Sequence, residues 1–215
     1  MKKTLLAISL IAGAVGGAHS AVLLSEGFNN ISDLTGKGWV QSNQSSPVGR
    51  SGWFQGNVGS FPAASGPANS YIGANYQNAA TGGTISNWLF TPTIAIGATD
   101  TLDFSLRLLG AGFLDTVNVY FSTSGASTNV TDFSLLQTFS SSVDTGWMNE
   151  SISANASGTG RYAFRYVAAN TNVDGNYIGI DSVSVNSVPE PASTALFGIG
   201  MLALFLGRRR IAAKQ

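Results

Sequence analysis

The stretch Thr101–Leu109, TLDFSLRLL, sets Leu102, Phe104, Leu106 and Leu108 against Thr101, Asp103, Ser105 and Arg107. Successive side chains of a strand point to opposite faces, so this alternation describes a strand with one face buried and one in water. A surface helix needs an apolar period near 3.6, and no stretch between Ala21 and Val188 sustains one over three turns. The alternation returns in DTVNVYFSTSG (Asp115–Gly125), where Val117, Val119 and Phe121 share a side. It returns again in RYAFRYVAA (Arg161–Ala169), where Tyr162, Phe164 and Tyr166 do. In NYIGIDSVSVNSV (Asn176–Val188) the phase changes at Asp181-Ser182, as a bulge or bend would require.

Further strands are predicted in AVLLSEGF (Ala21–Phe28), GWFQGN (Gly52–Asn57), NSYIGANY (Asn69–Tyr76) and TISNWLFTPTI (Thr84–Ile94). FSLLQTFS (Phe133–Ser140) and GWMNESISAN (Gly146–Asn155) complete the set. Pro92 has no backbone donor for a ladder and should end or edge its strand. TGKG, AASGPAN, ATGG, ASGTG and ANTNVDGN read as the connecting loops. About ten short strands with half-polar alternation predict an all-β fold, an antiparallel jelly-roll β-sandwich, rather than a buried parallel sheet. A β-helix would need a repeat of fixed length, and the chain has none.

The two ends differ from this body. Lys2 and Lys3 precede the apolar run Leu5–Gly17, and Ala18-His19-Ser20 offers small residues for cleavage, so residues 1–20 are expected to be a signal peptide. Residues 21–187 form the sandwich domain. Residues 188–215 form a separate tail.

His19 is the only histidine and cysteine is absent, so the exported chain would hold neither residue. That removes the usual neutral-pH base, the commonest metal ligand, disulfides and a thiolate nucleophile. Between Ala21 and Glu190 five basic residues face eleven acidic ones, a net charge of 5 − 11 = −6, which disfavours a nucleic-acid partner.

The carboxylates are the chemically suggestive set. Glu26, Asp115, Asp174 and Asp181 are candidate ligands of a structural Ca²⁺, because that ion takes six to eight oxygen ligands from such groups. Turn and strand chemistry is the competing reading. Two carboxylates also define a glycoside hydrolase, but nothing in the sequence pairs them, so no catalytic residue is assigned and the chain is expected not to be an enzyme. Of the four tryptophans, Trp39 and Trp53 are flanked by glycines and loops. They are the candidate carbohydrate contacts, with core burial as the alternative.

Val188-Pro189-Glu190-Pro191 is followed by sixteen residues, Ala192–Gly207, apolar except for Ser193 and Thr194, and then by Arg208-Arg209-Arg210. At 1.5 Å per residue a helix here is about 24 Å long, a short transmembrane helix against a hydrocarbon core of about 30 Å. The arginines form a basic stop that would leave the domain outside.

The order of motif, apolar segment and arginines resembles the PEP-CTERM sorting signal of exported Gram-negative proteins. That resemblance implies an exosortase partner, transient residence in the inner membrane through the tail helix, and release to the cell surface or extracellular matrix. The body is similar to choice-of-anchor J domains, and through them to cleaved-adhesin and MAM-like jelly rolls. LLSEGFNN, GWVQSN, GWFQGN, SYIGANY, ISNWLFTPTI, LDFSLRL and IGIDSVSV carry the likeness. It implies structural calcium near the first and last strands, at Glu26 and Asp181. The expected function is adhesion or exopolysaccharide association at the surface or in the matrix. An extracellular glycan hydrolase and a purely structural matrix protein are the alternatives.

Overall fold

The computed structural model describes residues 20–187. Its strands, in chain order, are β1 (Val22–Glu26), β2 (Val40–Asn43), β3 (Ser46–Val48), β4 (Phe54–Gln55), β5 (Ile72–Asn75), β6 (Ala79–Phe90) and β7 (Ile94–Ile96). They continue with β8 (Thr101–Leu108), β9 (Asp115–Ser122), β10 (Ser134–Ser141), β11 (Met148–Ser153), β12 (Gly158–Ala168) and β13 (Tyr177–Asn186). Single 3₁₀ turns occupy Ile31–Asp33, Tyr76–Asn78 and Val130–Asp132, each opened by an asparagine whose side chain accepts from the backbone two residues on.

Two antiparallel sheets result. One runs β11-β8-β13-β5-β4, with β1 also on β13; the other runs β10-β9-β12-β6-β2, with β3 on β6 and β7 on β12. The chain passes repeatedly from one sheet to the other, so the long strands stack as two layers instead of a meander. The period-two pattern then places the core. Leu102, Leu106, Ile178, Ile180 and Val185 of the first sheet meet Ile85, Leu89, Val117, Val119 and Phe164 of the second in one buried cluster. Phe104 crosses between layers, edge to face with Phe164 at 5.0 Å and with Phe139 at 6.0 Å.

Two local expectations are met with their reasons visible. Asp181 and Ser184 bracket a register shift on β8, and Ser182 between them has φ 52°, so the phase change is a bulge. Pro92 separates β6 from β7, and both still pair with β12, one on each side of the break.

Three expectations are corrected. ATGG is not a loop: Ala80–Gly83 lies inside β6, bulged between the pairs Val48↔Ala79 and Ser46↔Thr84. Most of ASGTG likewise joins β12, where Gly160 passes so near the Ser122 carbonyl that a β-carbon would strike it. The turn residues were legible there, but the pairing that overrides them is long-range.

The third correction concerns the tail. Among the described residues no helix is long and apolar enough to cross a membrane. Ala192–Gly207 lies outside those residues, as do the sorting motif and the arginines. The C-terminal transmembrane helix and the inner-membrane stage built on it are therefore withdrawn. At about 24 Å the segment falls short of a bilayer core of about 30 Å, which is the physical reason. The signal-peptide segment also lies outside the described residues, save Ser20.

Candidate functional site

The four candidate calcium ligands do not converge. Among the described residues no three His, Cys, Asp or Glu side chains gather in a way that could hold a metal ion. Glu26 is buried at the end of β1; its Oε1 accepts from Phe28 N at 2.8 Å and its Oε2 from Lys37 Nζ at 2.8 Å. Asp181 is fully buried, its Oδ2 accepting from Ser65 N at 3.0 Å and its Oδ1 from Ser182 N at 2.6 Å. Asp115, also fully buried, accepts from Gly110 N, Tyr166 Oη, Asn176 N and Tyr177 N at 2.6 to 3.3 Å. Asp174 belongs to a loop bridged to Leu114.

Protein donors hold Glu26, Asp115 and Asp181 apart, and because the four do not converge among the described residues they do not make a calcium site. Burial raises the pKa of Asp115 and of Asp181, and the hydrogen bonds to each pull it back down. These are structural carboxylates: Glu26 and Asp115 tie loops to a strand end, and Asp181 ties the Ser65 loop to the bulge of β13.

Trp39 and Trp53 do not face water. They are 2% and 6% exposed and belong to the main core cluster, with Phe28 edge-on to Trp39 at 5.4 Å. Glycine neighbours signalled exposed loops, but those loops fold the indoles inward, so neither offers a ring face to a sugar.

The surface feature that sequence reading missed lies where β3, the start of β6 and the β12–β13 loop meet. A groove of about 590 Å³ is lined there by Val48, Arg50, Tyr76, Gln77, Thr81 and Thr171, among others, with no carboxylate on its walls. Tyr76 is 45% exposed, and Arg50 is exposed without an ion pair among the described residues. Gln77 Nε2 donates to Tyr76 Oη at 3.3 Å, so phenol and amide present one amphipathic edge.

The groove has a rigid floor. Asn78 is fully buried; its Nδ2 donates to Ser51 Oγ and Gly52 O, and its Oδ1 accepts from Asn87 Nδ2 at 3.0 Å. Its carbonyl accepts from Asn43 Nδ2 at 2.8 Å and from Gly49 N at 2.9 Å. A buried amide network of this kind specifies one arrangement, because any slip leaves polar groups unpaired. Gly49 admits no substitution here, since a β-carbon would strike the Gln77 carbonyl oxygen and sit 2.6 Å from that of Ala79. Thr171 closes the far wall by donating to Ala80 O at 2.9 Å. The one legible signal was the asparagine-rich run Asn69–Asn78, whose aromatic Tyr76 follows a strand end.

An exposed ring beside planar amide, guanidinium and hydroxyl groups suits a polyhydroxylated ligand. It offers no acid–base pair. The hollow beside Trp39 also lacks a carboxylate and the one beside Phe121 contains only Asp132, so none of the three holds the two carboxylates that glycoside hydrolysis needs.

Residues 187–210 match the PEP-CTERM protein-sorting motif. No curated protein matches the chain. Among solved structures, the K1 cleaved adhesin domain of Lys-gingipain from Porphyromonas gingivalis W83 is similar, with TM-score 0.59 and 20% identity over 79% of this chain and 99% of that domain. The K3 domain of the same protein gives 0.59 and 18% over 79% and 100%, and the K2 domain 0.57 and 19% over 75% and 96%. At such identities the likeness is one of fold: the described domain shares the β-sandwich of those domains and precedes a sorting motif.

Proposed function

We propose that this chain is an exported, non-enzymatic protein of the cell surface or extracellular matrix that associates with exopolysaccharide, after an exosortase has processed its tail. The match of residues 187–210 to a protein-sorting motif carries the reading. The fold shared with cleaved adhesin domains supports an adhesive role, and we read the body as a choice-of-anchor J domain. The groove beside Tyr76 is the contact proposed for neutral sugar rings, with the phenol stacking and Gln77, Arg50 and Thr81 bonding hydroxyls.

The test of processing is the mass of the protein recovered from the cell surface. A product ending upstream of Arg208–Arg210 is expected, and an intact C-terminus overturns processing. The test of binding is retention of the full-length chain on polysaccharide from the producing cells. Tyr76→Ala should weaken retention about fivefold, the scale of one aromatic contact. Equal retention of the variant would remove the groove from the reading.

A further inference from the structure

The outer face of the seven-stranded sheet has a composition unlike the rest of the domain. Registers align Ser42, Trp88, Arg165, Asn118 and Thr138 in one row across β2, β6, β12, β9 and β10. The next row sets Ser86, Val167, Thr116 and Ser140 side by side. Neither row contains a carboxylate, although residues 20–187 carry ten acidic side chains against five basic ones.

Arg165 is the centre of this face. Its Nε donates to Ser86 Oγ at 3.0 Å, and its guanidinium lies 5.2 Å over the ring of Trp88. Trp88 Nε1 donates to the same hydroxyl at 3.2 Å and the indole packs on Tyr120 at 4.8 Å, so the platform beneath the arginine is fixed. Ion pairs among the described residues occupy Lys37 and Arg107, and Arg161, farther along β12, is buried with Nη1 on the carbonyls of Gly38 and Thr91. The terminal nitrogens of Arg165 have no partner within the described residues. A planar, always-charged fork held by stacking matches a carboxylate in bidentate geometry. The hydroxyls and amide beside it already bond one another, Thr138 to Asn118 at 2.9 Å and Thr116 with Ser140 at 2.9 Å, and can exchange those bonds for a sugar's.

We infer that this sheet face is a second glycan-contact site, distinct from the Tyr76 groove, and that it selects acidic polysaccharide by pairing Arg165 with a uronate carboxylate. The inference rests on the glycan-association reading above and adds the class of glycan. Local complementarity chooses the ligand: the net negative charge of the domain gives a polyanion no long-range attraction, but the fork of Arg165 stands among rows without a carboxylate and has no anion of its own there.

The experiment is affinity electrophoresis of the full-length chain in gels containing polygalacturonate or the neutral glucan dextran. The unaltered chain should be retarded by polygalacturonate, less so as salt rises. Arg165→Gln should weaken that retardation about tenfold, the scale of losing a charge-assisted pair, and leave any dextran retardation as it was. Arg165→Lys should restore part of it, since the charge returns without the fork. Arg107→Gln, which removes the same charge from the other sheet, should restore none and lose none. Equal retardation of Arg165→Gln and the unaltered chain by polygalacturonate overturns the inference. So does retardation by dextran alone, which leaves the glycan reading standing; retardation by neither polymer nor by the producing cells' polysaccharide overturns both.

Discussion

The two sheets of this sandwich are built by the same alternation and carry opposite charge. Strands of the six-stranded sheet hold Glu26, Asp103, Glu150 and Asp181 against Arg107 alone. Strands of the seven-stranded sheet hold Arg161 and Arg165 against Asp115, which is buried on the inner side beneath Tyr166. Each sheet satisfies its charges differently. The acidic sheet pairs Glu26 with Lys37 and Arg107 with Asp144, while the other leaves one guanidinium open to the solvent side. The strand arginine of the first sheet thus already has an anion, and Arg165 of the second has none among the described residues.

If the inner faces hold the fold and the outer face of the seven-stranded sheet holds a ligand, substitutions should divide accordingly. The largest effect is expected from Phe164→Ala, where a fully buried ring is lost at the junction of both sheets. Denaturant unfolding should show a loss of about 3 to 5 kcal/mol. A loss under about 1 kcal/mol would mean that the sheets do not share one core.

Tyr166→Phe comes next, at about 1 to 3 kcal/mol, because Asp115 Oδ1 then keeps one donor fewer in a buried setting. This loss depends on pH. Burial already holds the folded pKa of Asp115 above its ordinary 3.8, and the hydrogen bond from Tyr166 lowers it. Removing that bond raises the folded value further. The native variant then binds its proton more tightly than the unfolded chain does, so its stability falls as pH rises from 3.8 through the folded value. Unfolding curves across that range should therefore converge with those of the unaltered protein at low pH and diverge as pH rises. Divergence at low pH instead would place the coupling elsewhere.

The smallest effect is expected on the outer face. Thr138→Ala removes an exposed hydroxyl bonded to Asn118 and should change stability by less than about 0.5 kcal/mol. A large loss there would show that the face is structural.

Much of the architecture was legible because period two is a local property. The face assignments of Leu102, Phe104, Val117, Val119, Tyr162 and Phe164 follow from alternation, and burial agrees with each. Arg165 was legible in the same way, since it alternates with Phe164 and Tyr166. What alternation could not show is that its neighbours across three strands contain no carboxylate, because that depends on register between segments far apart in sequence. The tryptophans fail for the opposite reason. Flanking glycines describe the backbone near Trp39 and Trp53, whereas burial depends on which distant residues cover the ring.

The carboxylates make the same point. Their residue type allowed calcium, but an ion needs several oxygens at one point, and these do not gather among the described residues; donors such as Ser65, Asn176 and Lys37 instead reach Asp181, Asp115 and Glu26 across 116, 61 and 11 residues. The sequence by itself determined the strand period, the break at Pro92, the bulge at Asp181-Ser182 and the sorting motif, all readable from neighbours along the chain. Only the tertiary structure decided which donors hold the carboxylates, which indoles are covered, and that Arg165 stands without an anion among rows that hold no carboxylate. Those properties belong to pairs of residues, and folding alone chooses the pairs.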